Sequence, residues 1–559
     1  MNAPLLTTGR FAFTLFTLLE GLEKLPAGPT GDAKVDRGQV VAHGASTVRL
    51  DRLFDIFFES YWTRHAGLTE VALTGRLMGR AQIEIWRRDS LSGLEEAVVS
   101  IQMEGNGQAF AASVTLHLAC DEEHASCLFA KLHLAEGSVL SELRWCAAVP
   151  PVRDVRLTGI ICTFNREEML AGNLAQFAAE VAFLHRLIVV NQGDPGIADR
   201  MTVLDKSSTP IMFVDQPNLG GAGGFTRGIV EGLDDPEATH FLLMDDDIDA
   251  QPALLARIVA VLAYAAERHC VGGAMLDIQE PGRLFTCGDQ MHPTRPTIIN
   301  IAPDKDDDDI ATNAGRDFVA RQHRVDFNGW WCFAFPVAAV RRCGLPLPLF
   351  IRGDDVEFGL RLTHAGFSTL PWPGIAVWHA PFYLKARAWQ AFYDRRNMLF
   401  LNALHRLYPR RREVRSAWGS FRNALKVRDY ARADAVIAGV QAFNGGVVQL
   451  EHWSGANHDA LVKRAAQHHV RFGWVRVASL WLRAVSSLIR LRLQPRPDPR
   501  TVLRLTTTDF WRVYLPAKTA NASSSCNKGF ANCPDDGIAP SLSVKTKSVN
   551  SCDPNIPKS

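Results

Sequence analysis

The chain has 559 residues, 47% hydrophobic, 21% charged and 9% aromatic. That composition excludes collagen-like, coiled-coil and wholly disordered proteins. Lys plus Arg number 61 against 59 Asp plus Glu, so the overall charge of +2 points to no class of partner.

Charge is unevenly placed. Residues 381–520 carry 25 Lys/Arg and 8 Asp/Glu, a local net of +17, which leaves the rest of the chain at −15. Such asymmetry marks the last third as a candidate contact with an anionic polymer or membrane. The eleven cysteines are scattered with no CxxC pair, as expected of reduced thiols in a cytosolic chain. The apolar run Phe11–Leu19 lacks a strong basic flank and an A-x-A-like site, so no cleaved signal is expected. No run of eighteen uncharged apolar residues occurs, which predicts no spanning helix.

In chain order, residues 1–34 read as an irregular N-terminus. Over 35–150, runs such as EVALTGRLMGRAQIEIWRR and CLFAKLHLA alternate at strand length and predict a β-sandwich. VPPVRDV at 149–155 reads as a linker. From 151 to 400 buried-strand runs alternate with helical ones: RLTGIICTF, REEMLAGNLAQFAAEV, HRLIVVNQG, PIMFVDQ, GGFTRGIVEGL, HFLLMDDD, PALLARIVAVLAYAAER. That alternation predicts an α/β domain with a mainly parallel sheet. Residues 401–520 read as a basic helical region, and the Ser-, Asn-, Pro- and Lys-rich stretch 521–559 as a disordered tail.

The sharpest chemical signal is Asp245-Asp246-Asp247 after the apolar run Phe241–Met244. A buried strand delivers carboxylates to its C-terminal end, where open α/β sheets bind ligands. Two carboxylates one residue apart can meet a single hard cation. An isolated acidic triplet is more often a solvated turn; Asp306–Asp309, with no strand before it, is read that way. At the end of the first α/β strand, Arg166 could meet a phosphate and Phe164 a base, although Asn165 could equally be a helix cap. Asn218-Leu219-Gly220-Gly221-Ala222-Gly223-Gly224 permits close backbone approach to a ligand. Its spacing fits neither a Walker motif nor a dinucleotide fingerprint.

Asp354 and Asp355 beside Arg352 offer a candidate general base, or simply an acidic helix start. His379 ends a strand-like run and could complete a metal site. Trp330-Trp331 could supply a sugar-stacking wall, although core packing is the commoner use of tryptophan. Taken singly, most of these features favour structural roles. Taken in order, they make the site of a nucleotide-sugar transferase.

The series CTFNRE, VVNQGD, NLGGAGGFTRG, FLLMDDD, NGWWCF, FIRGDDVEFGLRL and VWHAPF resembles the GT-A galactofuranosyltransferases of glycosyltransferase family 2. The resemblance runs over roughly residues 45–400. It implies a Rossmann-like GT-A domain, UDP-galactofuranose as donor and a glycan, in lipid-linked form, as acceptor. It further implies a Mn²⁺ or Mg²⁺ ion on Asp245, Asp247 and His379, and Asp355 as the base of an inverting transfer. Phe164, Arg166, Asn218, Asp246 and Arg352 would bind the UDP-sugar; Trp330, Trp331 and Asp354 would face the acceptor. Arg352 stands where the family has Lys, and Gly353 where it has an aromatic residue.

A lipid-linked acceptor predicts a peripheral protein on the cytoplasmic face of the membrane. The run Val470–Leu493, with five arginines and no acid, suits an anionic surface. The N-terminal β domain would hold glycan, brace the catalytic domain or make a homo-oligomer contact. Another nucleotide sugar, such as a rhamnosyl donor, is the first alternative. A non-catalytic glycan-binding scaffold is the second, and it predicts gaps in the motif series that are not found. No nucleic-acid partner is expected, because the basic third lacks an aromatic platform or a helix-turn-helix cue.

Overall fold

The computed structural model describes residues 10–516, apart from 21–23, 26–28, 37, 119–124, 179, 202–208, 305–306, 382–385 and 468–473. The tail expected at 521–559 and the start of the 470–493 run lie outside the described residues.

Seven antiparallel strands build the first sheet: β1 (Phe13–Thr17), β2 (Pro29–Asp36), β3 (Gln39–Leu50), β4 (Glu70–Asp89), β5 (Glu95–Thr115), β6 (Ser126–Leu134) and β7 (Val139–Ala147). Two of these correct the irregular reading of residues 1–34. The apolar run there supplies β1, whose Leu15 and Phe16 are buried while the strand pairs with β7. The strands expected as a sandwich over 35–150 are present, and their two layers are continuous, as one sheet that closes on itself. The first half of β4 pairs with β7 and its second half with β6, while β3 pairs with both. The change of partner falls at Gly79. Its φ is +92°, and a Cβ there would lie 2.6 Å from Ser138 Oγ. Alternation along β4 sends Ala81, Ile83 and Ile85 inward and Gln82, Glu84 and Trp86 outward.

Helix α1 (Glu59–Ala66) joins this sheet to the next. Its Trp62 meets Trp372 edge to face at 5.0 Å, and Phe54 meets Trp378 at 5.7 Å. Arg88 of β4 grips Asp317 with two bonds of 2.8 and 2.7 Å. One continuous apolar core therefore runs from Leu15 through Trp145 to Trp378.

The second sheet contains β8 (Leu157–Thr163), β9 (Arg186–Asn191), β10 (Ile211–Asp215), β11 (His240–Asp245), β12 (Asp249–Ala250), β13 (His269–Asp277) and β14 (Leu284–Thr286). A separate hairpin, β15 (Asp289–Met291) with β16 (Ile298–Asn300), precedes its last two strands, β17 (Cys332–Pro336) and β18 (Ser368–His379). The order is β10-β9-β8-β11-β17-β13-β18-β12, with β14 beside β13. β17 and the edge strands β12 and β14 run antiparallel within an otherwise parallel sheet. This is the GT-A arrangement implied by the resemblance. Its strands are buried on both faces, which explains their unbroken apolar runs.

Helices α2 (Glu167–Phe177), α3 (Gly220–Leu233), α4 (Leu254–Tyr264), α5 (Asn313–Ala320), α6 (Val337–Cys343) and α7 (Asp354–His364) are interleaved with these strands. A helical region follows: α8 (Gln390–His405), α9 (Arg410–Lys426), α10 (Tyr430–Asn444), and the helices Gly455–Gln467 and Trp474–Leu493. The seven described cysteines are free.

Candidate functional site

Parallel pairing brings the C-terminal ends of β8, β11 and β18 to one edge, with Asp245 opposite Cys162 and His379 opposite Asp277. Asp245, Asp247 and His379 thereby converge, and one ligand atom from each lies within 4.8 Å of the others. His379 Nε2 stands 3.1 Å from Asp247 Oδ1 and 4.0 Å from Asp245 Oδ2. Two carboxylate oxygens and one imidazole nitrogen suit Mn²⁺ or Mg²⁺, with further positions left for phosphate and water. Arg166 lies against the same group, its Nη1 2.7 Å from Asp247 Oδ2 and 3.1 Å from Asp246 Oδ1. Burial pushes the Asp246 carboxyl above its ordinary range, against the pull of Arg166. Asn173 fixes the end of β11 by donating to Asp245 O at 3.0 Å. Phe164, the residue after β8, is 45% exposed.

The glycine-rich turn is held by a residue that the motif reading did not single out. Buried Gln192 donates to Gly220 O at 2.9 Å and accepts from Leu219 N at 2.8 Å. Asn218 Oδ1 accepts from Gly220 N at 2.9 Å. Gly220 has φ +69°, and a Cβ there would fall 2.1 Å from Phe350 O. The glycine-rich turn is thus packed directly on the segment that leads to Asp354 and Asp355. At Gly455 a Cβ would lie 2.9 Å from Asn218 O, so the helical region also abuts this turn.

Asp354 and Asp355 open α7 after Gly353, whose φ of +84° turns the chain into the helix. A Cβ at Gly221 would lie 3.5 Å from Asp354 Oδ2, which places that carboxyl against the glycine-rich turn. Burial and the Asp355 charge push Asp354 up to about 8. Burial also raises Asp355, opposed by its bond to Val356 N and by Arg352. Arg352 pairs with Asp394 at the start of α8. Asn397 of α8 donates to the carbonyls of Leu349, Ile351 and Arg352 at 2.7–3.1 Å, which fixes the approach to the Asp pair. No sequence motif marked Asn397.

Trp330 and Trp331 are 5% and 3% exposed, so neither ring presents an open face. Trp331 donates to Gly273 O at 2.9 Å. Trp330 packs edge to face on Phe225 at 5.4 Å and Phe358 at 6.2 Å, and its buried Nε1–H has no acceptor among the described residues.

Asp289 is a second group that the sequence did not reveal. It is 4% exposed and accepts from Thr286 Oγ1 and Asn300 Nδ2 at 3.1 and 3.0 Å. Burial, reinforced by the Asp355 charge, pushes it up to about 8. Between about pH 4 and pH 8 the folded chain therefore holds a proton that the unfolded chain releases, and stability falls as pH rises. Asp289→Asn keeps an acceptor for both donors and removes that loss. Calorimetry should find an unchanged Tm at pH 5 and a rise of about 2 °C or more at pH 8. An unchanged Tm at both values would contradict a protonated Asp289.

An acidic strand end with a histidine partner, a glycine turn and an opposing Asp pair define a glycosyltransferase-like site. Residues 155–398 match the family model described as "Glycosyltransferase like family 2". The galactofuranosyltransferase GlfT2 of Mycolicibacterium smegmatis is 32% identical over 379 residues, covering 64% of this chain and 58% of its own. Galactofuranosyltransferase GlfT1 of Mycobacterium tuberculosis is 32% identical over 212 residues, covering 37% of this chain and 64% of its own. The chain thus spans about three-fifths of the length of the curated relatives it matches. Among solved structures, a mannosyltransferase from Pyrobaculum calidifontis in complex with GDP-Man and Mn²⁺ aligns at 14% identity and a TM-score of 0.31. It covers 61% of this chain and 88% of that one.

Proposed function

We propose that this chain transfers galactofuranose from UDP-galactofuranose to a hydroxyl of a glycan acceptor, with inversion at the anomeric carbon. The observation that carries the reading is the convergence of Asp245, Asp247 and His379, with Asp354 close enough for the Asp245 charge to act on it. A divalent cation held by those three side chains would neutralise charge on the departing diphosphate. Arg166 offers the phosphates a second positive partner, and its present bonds to Asp246 and Asp247 are the ones it would exchange. Phe164, Asn218 and the glycine turn hold the nucleoside side, and Arg352 the sugar side. Asp355 accepts the proton of the acceptor hydroxyl as that oxygen bonds to the anomeric carbon and UDP leaves from the opposite face. Its raised proton affinity suits a base that must be ionised and yet receive a proton near neutral pH. Asp354 orients the acceptor, while Trp330 and Trp331, buried in the core, only support the wall behind it. Positioning and fixed charge supply most of the catalysis.

The test is a donor panel. The protein is incubated with Mn²⁺, a galactofuranosyl disaccharide, and UDP-galactofuranose, UDP-galactopyranose or dTDP-rhamnose in turn. Product masses and anomeric couplings are then read. Added galactofuranose units of inverted configuration are expected from the first donor alone. Transfer of rhamnose would move the reading to the alternative donor, and transfer from none would remove it.

The proposed acceptor is one presented at an anionic membrane surface. No helix among the described residues is long and apolar enough to cross a membrane. Helix Trp474–Leu493 instead exposes Trp481, Leu482, Val485, Ile489 and Leu493 at helical spacing along one face. Trp481 packs on Trp418 and Phe421 of α9, a helix that also exposes Arg415, Arg422 and Lys426. An apolar stripe next to a basic face suits interfacial docking. The triple variant Arg422→Gln/Lys426→Gln/Arg492→Gln should float with phosphatidylserine vesicles about tenfold less than wild type. Equal flotation would remove the membrane from the account.

A further inference from the structure

The first sheet carries an open groove of about 780 Å³ on its outer face, which the transfer site does not use. Its floor is a row of side chains in register across five strands: Thr30 of β2, Thr47 of β3, His133 of β6, Gln82 of β4 and Gln102 of β5. Directly paired residues share a face of the sheet. At about 4.8 Å between strands the row extends roughly 19 Å. The chain neighbours Ser46, Leu134, Ala81 and Ile101 turn inward and are buried, so the polar row follows from strand alternation.

The row is prearranged. Thr47 Oγ1 and His133 Nδ1 are 3.0 Å apart, and His133 Nε2 lies 3.4 Å from Glu84 Oε2. Gln82 Nε2 donates to Glu84 at 2.9 Å and to Ser100 at 3.1 Å. Gln102 and Thr30 are exposed at the two ends. Charge in the groove is matched internally, with Arg80 and Glu104 paired at 3.3 Å. A phosphate would want cations without partners, and a docking helix would want an apolar stripe. Hydroxyls and amides standing side by side, with Thr30 and Gln102 able to donate and accept and Gln82 offering its Oε1, instead match a ligand made of neighbouring hydroxyl groups.

We infer that this groove binds an oligosaccharide, as a second holding site for glycan away from the reacting end. The inference rests on the proposed function only for its choice of glycan.

The test is saturation-transfer NMR on the full chain with three probes: a galactofuranosyl hexasaccharide, manno-hexaose and malto-hexaose. Wild type is compared with Gln82→Ala/Gln102→Ala and, as an independent pair, Thr30→Ala/Glu104→Gln. At least one hexasaccharide is expected to bind wild type and to lose about tenfold in affinity in the first pair. Transfer to a disaccharide acceptor should stay within twofold of wild type in both pairs. Absence of binding by all three probes, or equal binding by both folded variants, would overturn the groove assignment and leave the transfer reading standing. Groove-dependent binding by a protein that transfers no sugar would support the groove and overturn the proposed function.

Discussion

Asp355→Ala should lower transfer by about 10³-fold or more while leaving the affinity for UDP within a few-fold of wild type. The reason is geometric. Asp355 lies in the first turn of α7, outside the Asp245–Asp247–His379 group, and its carboxylate accepts from Val356 N. Its neighbours are Val356 N and Arg352, with Asp289 close enough for the two charges to interact. Removing the carboxylate takes away the proton acceptor, and the diphosphate-side residues keep their positions. Transfer is measured with a galactofuranosyl disaccharide and UDP affinity by titration calorimetry. Wild-type transfer by the variant would show that Asp355 is not the base. Lost UDP binding would show that it belongs to the donor site.

Asp247→Ala and His379→Ala should have the complementary effect. Each should weaken Mn²⁺-dependent UDP binding by about 10–100-fold, because each removes a ligand atom from a three-membered set. Asp247→Ala also removes the 2.7 Å bond that holds Arg166, so its effect on UDP should be the larger. Affinities in Mn²⁺ and in EDTA separate the two contributions. Undiminished binding by either variant in Mn²⁺ would remove that residue from the cation site.

The parts of this site that were legible in the sequence are those whose chemistry needs a rare pattern. A buried run ending in aspartates delivers carboxylates to the end of an α/β sheet where ligands bind, so Asp245 and Asp247 are legible as candidates. Alternation of apolar runs and helical spacing likewise revealed the α/β domain, because strands buried on both faces cannot hide their composition. The hidden parts depend on contacts between distant segments. Gln192, Asn397 and Asp289 are ordinary residues in ordinary local sequence. They matter because pairing and packing bring them to the glycine turn, to the segment before Asp354 and to the vicinity of Asp355. The closed first sheet was hidden for the same reason. Alternation reveals that β4 has an inner and an outer face, but not that the strand changes partners at Gly79. The tryptophan pair went the other way. Adjacent tryptophans invite a stacking role, yet both rings are buried in the core.

Pulsed EPR of Mn²⁺ bound with UDP probes the cation site directly. Electron-spin-echo modulation should show one imidazole nitrogen, absent in His379→Ala, together with phosphorus coupling from UDP. Manganese that binds with UDP but shows no such nitrogen, or keeps it in His379→Ala, would contradict a cation held by Asp245, Asp247 and His379.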